Sequence, residues 1–246
     1  MSNSSFSFKQ FTICQEKCAM KVGTDGVLLG AWAPVRNARH ILDVGTGTGL
    51  IALMMAQRTP SDVRITALEI DPDAAAQAKE NADDSPWRER IEVITNNFNG
   101  YKNERKFDLI VSNPPYFVES LKCPDGQRNT ARHTSGELNY EVLMSHSTSL
   151  IAPDGIVAVV VPTEVEARVE EAAWAAGLAL THKTSVITKM GKPCKRLLLA
   201  FTFAGGQGSR LYELYATRRE DTLCMMTTNG EYTVEYKELT GDFYLK

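Results

Sequence analysis

The stretch Asp43-Val-Gly-Thr-Gly-Thr-Gly49 lies between the β-branched run HILDV (40–44) and the apolar segment LIALMMAQ (50–57). Glycines at alternate positions let the backbone turn sharply and approach a ligand without a clash from a Cβ atom. Open α/β sheets bind ligands at the carboxyl ends of their strands, which is where this turn lies. The stretch therefore predicts a strand, a ligand-binding turn and a helix. A glycine-rich turn without a ligand is the alternative.

Four more strand-like runs follow, with helical stretches between them, and this alternation predicts a parallel sheet covered by helices on both faces. They lie at 63–69, 91–95, 107–112 and 156–161. Thr163 and Glu166 predict a capping box at the start of the next helix, and Gly177 predicts its end. Beyond it, segments 180–188 and 196–203 predict a hairpin that closes the edge of the sheet. We expect an α/β fold with a seven-stranded, mainly parallel sheet whose last strand is antiparallel.

The spacing of the glycines distinguishes two kinds of ligand. A dinucleotide-binding turn would need glycine at position 50, where the chain has Leu50. The pattern D-x-G-x-G-x-G instead resembles the first motif of class I methyltransferases. That resemblance implies a Rossmann-like fold and S-adenosylmethionine as cofactor, held by Asp43, Gly45, Gly47 and Gly49.

Acidic and amide side chains follow the next two strands. Glu69 ends the second strand, where a carboxylate can accept hydrogen bonds from both ribose hydroxyls of a nucleoside. Asp71 is the competing acid, but its place before Pro72 is that of a helix N-cap, so we assign the ribose to Glu69. Asn97 follows the third strand, where this fold contacts the cofactor's adenine ring. A surface turn explains Asn97 equally well.

The fourth strand ends in Asn113-Pro-Pro-Tyr116, which resembles the catalytic motif of methyltransferases that modify adenine N6, cytosine N4 or a glutamine amide. Such a nitrogen is a poor nucleophile because its lone pair is delocalised. The Asn113 side-chain oxygen and the Pro114 carbonyl can hold its two N–H bonds, while Pro115 fixes the backbone and Tyr116 stacks on the base. The attacking nitrogen is neutral, so no general base is required. A proline-rich turn is the alternative.

A closer resemblance covers the chain from about Phe11 to Lys246. Its segments are MKVGTDGVLLGAW (20–32), NPPYF (113–117) and YTVEYKELTGDFYLK (232–246). They are similar to the bacterial enzyme family that methylates N6 of adenine 37, beside the anticodon of valine tRNA. The resemblance implies a tRNA substrate and places Lys21, Thr24 and Asp25 near the methionine end of the cofactor. From the residues alone, segment 20–32 could equally be a strand and turn packed on the sheet edge.

The chain's organisation favours adenine over the other targets. Glutamine methyltransferases of this type usually carry a helical domain before the glycine motif, and DNA methyltransferases a sizeable target-recognition domain. We expect residues 1–39 to be an N-terminal extension packing on the cofactor site, 40–204 the methyltransferase core, and 205–246 a C-terminal extension of the same domain. Methylation of a glutamine amide or of another RNA, and a cofactor-binding module without catalysis, are the competing functions.

The net charge argues against general nucleic-acid binding, because the chain has 27 basic residues and 30 acidic ones. Local groups of cations nevertheless occur in segment 117–138 and in the loop between the last two predicted strands. The predicted RNA contacts are Arg128, Arg132, His133, Lys189, Lys192 and Lys195. A solvated face is the alternative, and we hypothesise that segment 117–138 becomes ordered when the anticodon loop docks.

Composition gives the remaining expectations. No apolar stretch approaches the roughly 20 residues that cross a bilayer, and the start MSNSSFSFKQF lacks the features of a secretory signal. The five cysteines are scattered, without the spacing of a zinc site. We therefore expect a cytoplasmic monomer that binds no metal and no membrane.

Overall fold

An eight-stranded sheet lies at the centre of the computed structural model, which describes residues 4–115, 138–205 and 217–245. A separate two-stranded hairpin precedes it. The strands are β1 (Ser5–Ser7), β2 (Thr12–Cys14), β3 (His40–Val44), β4 (Arg64–Glu69), β5 (Ile91–Thr95), β6 (Phe107–Ser112), β7 (Ile151–Pro162), β8 (Leu178–Ile187), β9 (Arg196–Phe203) and β10 (Arg219–Cys224). Their order across the large sheet is β10-β8-β9-β7-β6-β3-β4-β5.

Helices connect most of the parallel strands, as the alternating pattern predicted. They are α1 (Thr24–Trp32), α2 (Leu50–Arg58), α3 (Pro72–Asp83), α4 (Tyr140–Leu150), α5 (Glu166–Ala175) and α6 (Val234–Thr240). Successive strand residues point to opposite faces of a sheet. Ile110 accordingly joins one apolar cluster, while its neighbours Leu109 and Val111 join the other. Both faces of the sheet are therefore buried.

The sheet has one strand more than the sequence predicted. β9 is antiparallel to both β7 and β8, so the predicted hairpin forms and β9 is the antiparallel strand. The hairpin does not close the edge, however, because β10 pairs with β8 in parallel beyond it. β10 reads REDTLC, and most of its residues are exposed or half-buried. Its charges suit an edge strand but hide the apolar alternation by which strands are recognised in a sequence.

Of the predicted helix ends, those at Asp71 and Gly177 are confirmed and the capping box at Thr163 is wrong. The Asp71 side chain accepts hydrogen bonds from the N–H groups of Asp73 (2.9 Å) and Ala74 (3.4 Å), so the predicted cap of α3 is confirmed. The capping box at Thr163 is wrong, since residues 163–165 form a short 3-10 turn and α5 begins after it without a side-chain cap. Gly177, with φ of 78°, follows α5 as predicted.

The two ends of the chain pack on each other beside α2 and α3. Phe8 stacks on Phe11, with ring centroids 4.7 Å apart, and on Tyr244 at 5.8 Å. The Lys9 N–H donates to the Phe243 carbonyl at 2.8 Å. These contacts bury aromatic surface that neither end segment could bury alone.

Candidate active site

Asp43, near the carboxyl end of β3, supports the glycine turn. Its Oδ2 accepts hydrogen bonds from Thr46 Oγ1 (2.6 Å) and from the Ala52 N–H (3.1 Å), which links the turn to α2. Burial raises the pKa of Asp43 to about 7, although these two hydrogen bonds act in the opposite direction. Oδ1 is buried and has no hydrogen-bond partner among the described residues.

The three glycines adopt left-handed backbone conformations for different reasons. Gly45 and Gly47 have φ of 69° and 55°, and a Cβ on either would meet no atom of the described residues within 4 Å. Their backbone therefore faces open space, as a ligand-binding turn requires. Gly49, with φ of 82°, lies against α3 instead, where a Cβ would come within 3.4 Å of Ala78.

Glu69 and Asp71 have separate tasks. Glu69 Oε2 accepts from the Gly47 N–H at 2.8 Å, and Oε1 accepts from the N–H groups of Ile70 (2.9 Å) and Asp71 (3.1 Å). The carboxylate thus holds the glycine turn and the start of α3 in fixed positions. Asp71 uses its side chain to cap α3, as described above, and both acids lie in the wall of the same cavity.

A cavity of about 470 Å³ lies over the carboxyl ends of β3, β4 and β6. That volume is within the usual range for a small-molecule site. The described residues that line it are Cys18, Ala19, Met20, Val44, Gly45, Gly47, Leu68, Glu69, Ile70, Asp71, Ala74, Asn96, Asn97, Phe98, Asn113, Pro115 and Leu138. It brings together four of the residues predicted for the cofactor, namely Gly45, Gly47, Glu69 and Asn97, with Asn113 and Pro115 of the predicted catalytic motif.

Asn97 lies in a turn, as one of the two alternatives predicted, and this turn borders the cavity. It lies in the cavity wall, and its side-chain oxygen accepts from the Asn99 N–H at 3.0 Å, which caps a short 3-10 helix (98–100). The neighbouring Phe98 is buried, with its ring edge-to-face against His146 at 4.9 Å. The turn therefore holds Asn97 at the cavity, and its contact with adenine stays a prediction.

Asn113 lies directly beyond β6, where Ser112 Oγ donates to the Val44 carbonyl at 2.9 Å and joins the ends of β6 and β3. Asn113 Oδ1 is buried and has no hydrogen-bond partner among the described residues. A buried acceptor without a partner is costly, and such groups mark places where a ligand can donate. Pro114 is buried behind it, and Pro115 is exposed in the cavity wall. Tyr116 lies outside the described residues.

The N-terminal segment contributes a cavity wall that the sequence did not predict at these residues. Cys18, Ala19 and Met20 line the cavity, whereas the predicted Lys21 and Thr24 are exposed and are not among the lining residues. The Gln15 side-chain oxygen accepts from the Val22 N–H at 2.8 Å and so closes the loop that carries this wall. The residue pattern of MKVGTDG (20–26) gives no indication of which neighbouring residues line the cavity.

Cys18 is chemically quiet at this position. Burial, together with the nearby carboxylates of Glu69 and Asp71, raises the pKa of its thiol to about 11. The thiol is therefore protonated at neutral pH and is a poor nucleophile.

Asp43 and Gly49, also predicted as cofactor contacts, are not in the cavity wall. Their observed contacts support the turn and its packing against α2 and α3. A direct contact of either with the cofactor stays a prediction.

The predicted RNA contacts fall into two groups. Arg128, Arg132 and His133, with segment 117–137, lie outside the described residues. Lys189, Lys192 and Lys195 lie in the loop between β8 and β9. Because Arg196 pairs with Pro162 at the end of β7, this loop emerges at the same edge of the sheet as Asn113.

Two further observations concern ions and membranes. Within residues 4–115, 138–205 and 217–245, no three His, Cys, Asp or Glu side chains are grouped to hold a metal ion. In the same parts of the chain, no helix is long and apolar enough to span a bilayer.

Comparisons with solved structures support the fold. A predicted O-methyltransferase from Agrobacterium tumefaciens superposes with a TM-score of 0.62 at 18% identity, over 89% of this chain and 96% of that one. A glycopeptide N-methyltransferase in complex with S-adenosyl-L-methionine gives a TM-score of 0.55 at 12% identity, over 75% of this chain and 90% of that one. The chain therefore has the class I methyltransferase fold.

Sequence comparisons are more specific. Residues 20–167 match the family described as "Methyltransferase small domain". Proteins named tRNA1(Val) (adenine(37)-N6)-methyltransferase are 51% identical in Bacteroides thetaiotaomicron, over 100% of this chain and 99% of that protein, and 45% identical in Tolumonas auensis, with the same coverage. With its glycine turn, its acid after β4 and its NPPY motif in one continuous similarity, the chain belongs to the tRNA1(Val) (adenine(37)-N6)-methyltransferase family.

Proposed function

We propose that this chain transfers the methyl group of S-adenosylmethionine to N6 of adenine 37 in valine tRNA, the reaction for which its relatives are named. The observation that supports it most directly is the Asn113 Oδ1 atom. This acceptor is buried, belongs to a residue that lines the cavity beside the glycine turn, and has no donor among the described residues. An amine that enters the cavity would supply the missing N–H group.

The residues of the cavity fit the proposed cofactor. Gly45 and Gly47 leave the backbone open toward a ligand, Glu69 offers carboxylate oxygens, and Asn97 and Phe98 form an amide and aromatic wall. We assign the cofactor's ribose to Glu69 and its adenine ring to the turn at Asn97. When bound, S-adenosylmethionine supplies a methyl group on a positively charged sulfur, an electrophile that a neutral amine can attack.

The residues at the end of β6 would prepare the target nitrogen. An N–H bond directed at Asn113 Oδ1 and a second at the Pro114 carbonyl favour the pyramidal geometry in which the lone pair is available. The nitrogen then holds its lone pair toward the methyl donor at a fixed distance, which removes much of the entropic cost of the encounter. Its surplus proton leaves after transfer, so no basic side chain is needed. Tyr116, adjacent in sequence, is proposed to stack on the base.

Three other residues fit supporting roles. Asp43 and Gly49 would position the turn through their contacts with Thr46, Ala52 and Ala78, and their direct contact with the cofactor stays a prediction. Pro115 would form part of the wall between the cofactor and the base. The contact of Lys21 and Thr24 with the methionine end of the cofactor stays a prediction.

Radiolabelled methyl transfer tests the proposal. The purified protein is incubated with tritiated S-adenosylmethionine and, in parallel, with unmodified tRNA, rRNA, DNA and protein, and the label is identified by nucleoside analysis. We expect N6-methyladenosine in tRNA, and in a panel of single tRNA transcripts we expect it in valine tRNA at position 37. The matched negative control is a valine tRNA transcript with guanine in place of the target adenine.

Two outcomes would contradict the proposal. Label in protein would favour the glutamine-amide alternative, and label in rRNA alone would move the substrate to another RNA. A protein that binds S-adenosylmethionine without transferring its methyl group to any of the four would be a binding module.

A further inference from the structure

The additional strand β10 brings a second turn to the edge of the sheet where the substrate binds. β10 runs parallel to β8, with Arg219 opposite His182 and Cys224 opposite Ile187. The turn after β10 therefore emerges beside the loop that follows β8. We call the surface formed by residues 188–195 and 225–234 the edge platform.

Backbone hydrogen bonds join the two parts of the edge platform. The Met225 N–H donates to the Ile187 carbonyl, and the Met190 N–H donates to the Met226 carbonyl, each at 2.8 Å. Thr233 closes the second turn, because its Oγ1 donates to the Cys224 carbonyl at 2.6 Å and its N–H donates to the Met225 carbonyl at 3.0 Å. The platform is thus one preorganised surface, which lowers the entropic cost of binding.

An aromatic ring is exposed on this surface. Tyr232 has 48% of its surface exposed, and its ring stacks on that of the buried Tyr236, with centroids 4.9 Å apart and planes at 29°. Met190, 53% exposed, lies on the adjoining loop. Exposed aromatic rings held in place by a buried neighbour are the platforms on which unpaired bases stack.

The platform is positively charged, although the chain as a whole is not. It contains Lys189, Lys192 and Lys195 against the single acid Glu231, whereas the whole chain has 27 basic and 30 acidic residues. No carboxylate of the described residues forms an ion pair with these three lysines, in contrast to Arg196, whose Nε lies 2.8 Å from Asp25 Oδ2. The lysine charges are therefore available for phosphate groups.

The position of the platform defines which part of the RNA it would contact. β9, β8 and β10 are two to four strands away from β6, which carries Asn113. At about 4.8 Å between neighbouring strands, the platform lies roughly 10–20 Å from the target nitrogen. That separation excludes contact with the methylated base and points to other nucleotides of the same loop.

We propose that the edge platform binds the unpaired loop of the substrate RNA, with Tyr232 stacking on a base outside the target position and Lys192 and Lys195 contacting its phosphates. This inference rests on the proposed function and adds to it a binding role for the turn after β10. Tyr232 is a binding residue in this proposal and takes no part in the methyl transfer itself.

Binding of unmodified valine tRNA, measured by filter binding over a series of KCl concentrations, tests the platform. Tyr232→Ala is expected to raise the Kd for tRNA roughly tenfold and Tyr232→Phe less than twofold, because phenylalanine retains the stacking face. Lys192→Ala combined with Lys195→Ala should reduce the slope of log Kd against log salt by about 1.4. In all three variants the Kd for S-adenosylmethionine and the kcat at saturating tRNA should stay within twofold of wild type.

Matched controls come from the opposite side of the molecule. Trp174→Ala removes an aromatic side chain that is 52% exposed on α5, and Lys102→Ala with Lys106→Ala removes two exposed charges before β6. Equal effects in controls and platform variants, or wild-type tRNA binding in the platform variants, would overturn the proposal. If Tyr232→Ala lowers the melting temperature, the exposed double lysine variant decides. Wild-type protein that binds tRNA without methylating it would contradict the proposed function alone.

Discussion

The glycine-turn region and the Asn113 region lie side by side at one edge of the sheet, yet they differ in how the polar side chains of the cavity wall, Glu69 and Asn113, are hydrogen-bonded. In the glycine turn, both oxygens of Glu69 accept backbone N–H groups, and the N–H groups of Gly45 and Thr46 donate to the Leu68 carbonyl. The turn is therefore fixed by its own contacts. At Asn113, in contrast, the side-chain oxygen is buried without a donor among the described residues.

The difference indicates that the two regions have different roles. A turn whose backbone N–H groups donate to Glu69 and Leu68 presents a fixed surface to the cofactor, and it does not need the cofactor to reach its shape. A buried acceptor without a donor stores an unfavourable interaction that a suitable substrate relieves. The first region should therefore govern folding and cofactor affinity, and the second should govern the rate of transfer.

The largest expected effect tests the Asn113 side of this comparison. Asn113→Ala should lower kcat by about 10²- to 10³-fold, because a transition-state hydrogen bond is lost, while the Kd for S-adenosylmethionine changes less than threefold. Steady-state kinetics with tRNA and calorimetric titration of the cofactor measure the two quantities. Asn103→Ala, at the opposite edge of the sheet, is the control. Retention of a tenth of wild-type kcat would show that Asn113 does not act on the target nitrogen.

Asp43 tests how the turn is supported. Its folded-state pKa of about 7 lies above its unfolded value near 3.8, so the folded state binds a proton more tightly. Stability from this proton is fully present below about pH 3.8 and is lost as pH rises from there through 7, by roughly 3 kcal/mol between pH 5 and pH 8. Asp43→Asn should remove this loss. Urea unfolding of both proteins at the two pH values measures it, and parallel pH dependences would refute the assignment.

Substitutions of Glu69 and Asp71 test which of the two carboxylates binds the cofactor's ribose. Glu69→Gln should weaken S-adenosylmethionine binding about tenfold, since an acceptor of charged hydrogen bonds is replaced by an amide. Asp71→Asn is the matched control, because asparagine caps a helix as well as aspartate does. Calorimetry gives both Kd values. Should Asp71→Asn weaken binding as much as Glu69→Gln, the ribose contact belongs to Asp71.

The prediction with the smallest expected effect distinguishes backbone strain at Gly47 from contact between Gly47 and the ligand. Gly47→Ala and Gly177→Ala each place a Cβ at a left-handed residue with no described atom within 4 Å, at φ of 55° and 78°. Each should lower the free energy of unfolding by about 1 kcal/mol. Only Gly47→Ala should also weaken cofactor binding. Equal cofactor affinities would mean that the turn does not approach the ligand at Gly47.

Much of the fold was predictable because its signals are local. The β-branched runs of β3, β5 and β6 coincide with the observed strands, and the glycine turn lies where its spacing placed it. β10 was not predicted, because a charged edge strand has no apolar periodicity. Its pairing with β8 depends on contacts between residues far apart in the chain, such as His182 Nε2 and Asp221 Oδ2 at 3.1 Å.

The site was predictable where one motif supplies all of its geometry and unpredictable where distant segments meet. The sequence by itself determined the turn at Gly45 and Gly47, the acid at the end of β4 and the NPPY motif after β6, because strand ends in a parallel sheet share one edge. Only the tertiary structure decided that Cys18–Met20 line the cavity and that Gly49 packs on α3. It also decided that Tyr232 pairs with Met226, which is hydrogen-bonded to Met190 of the β8–β9 loop. Those positions follow from packing between segments far apart in sequence, which local patterns do not encode.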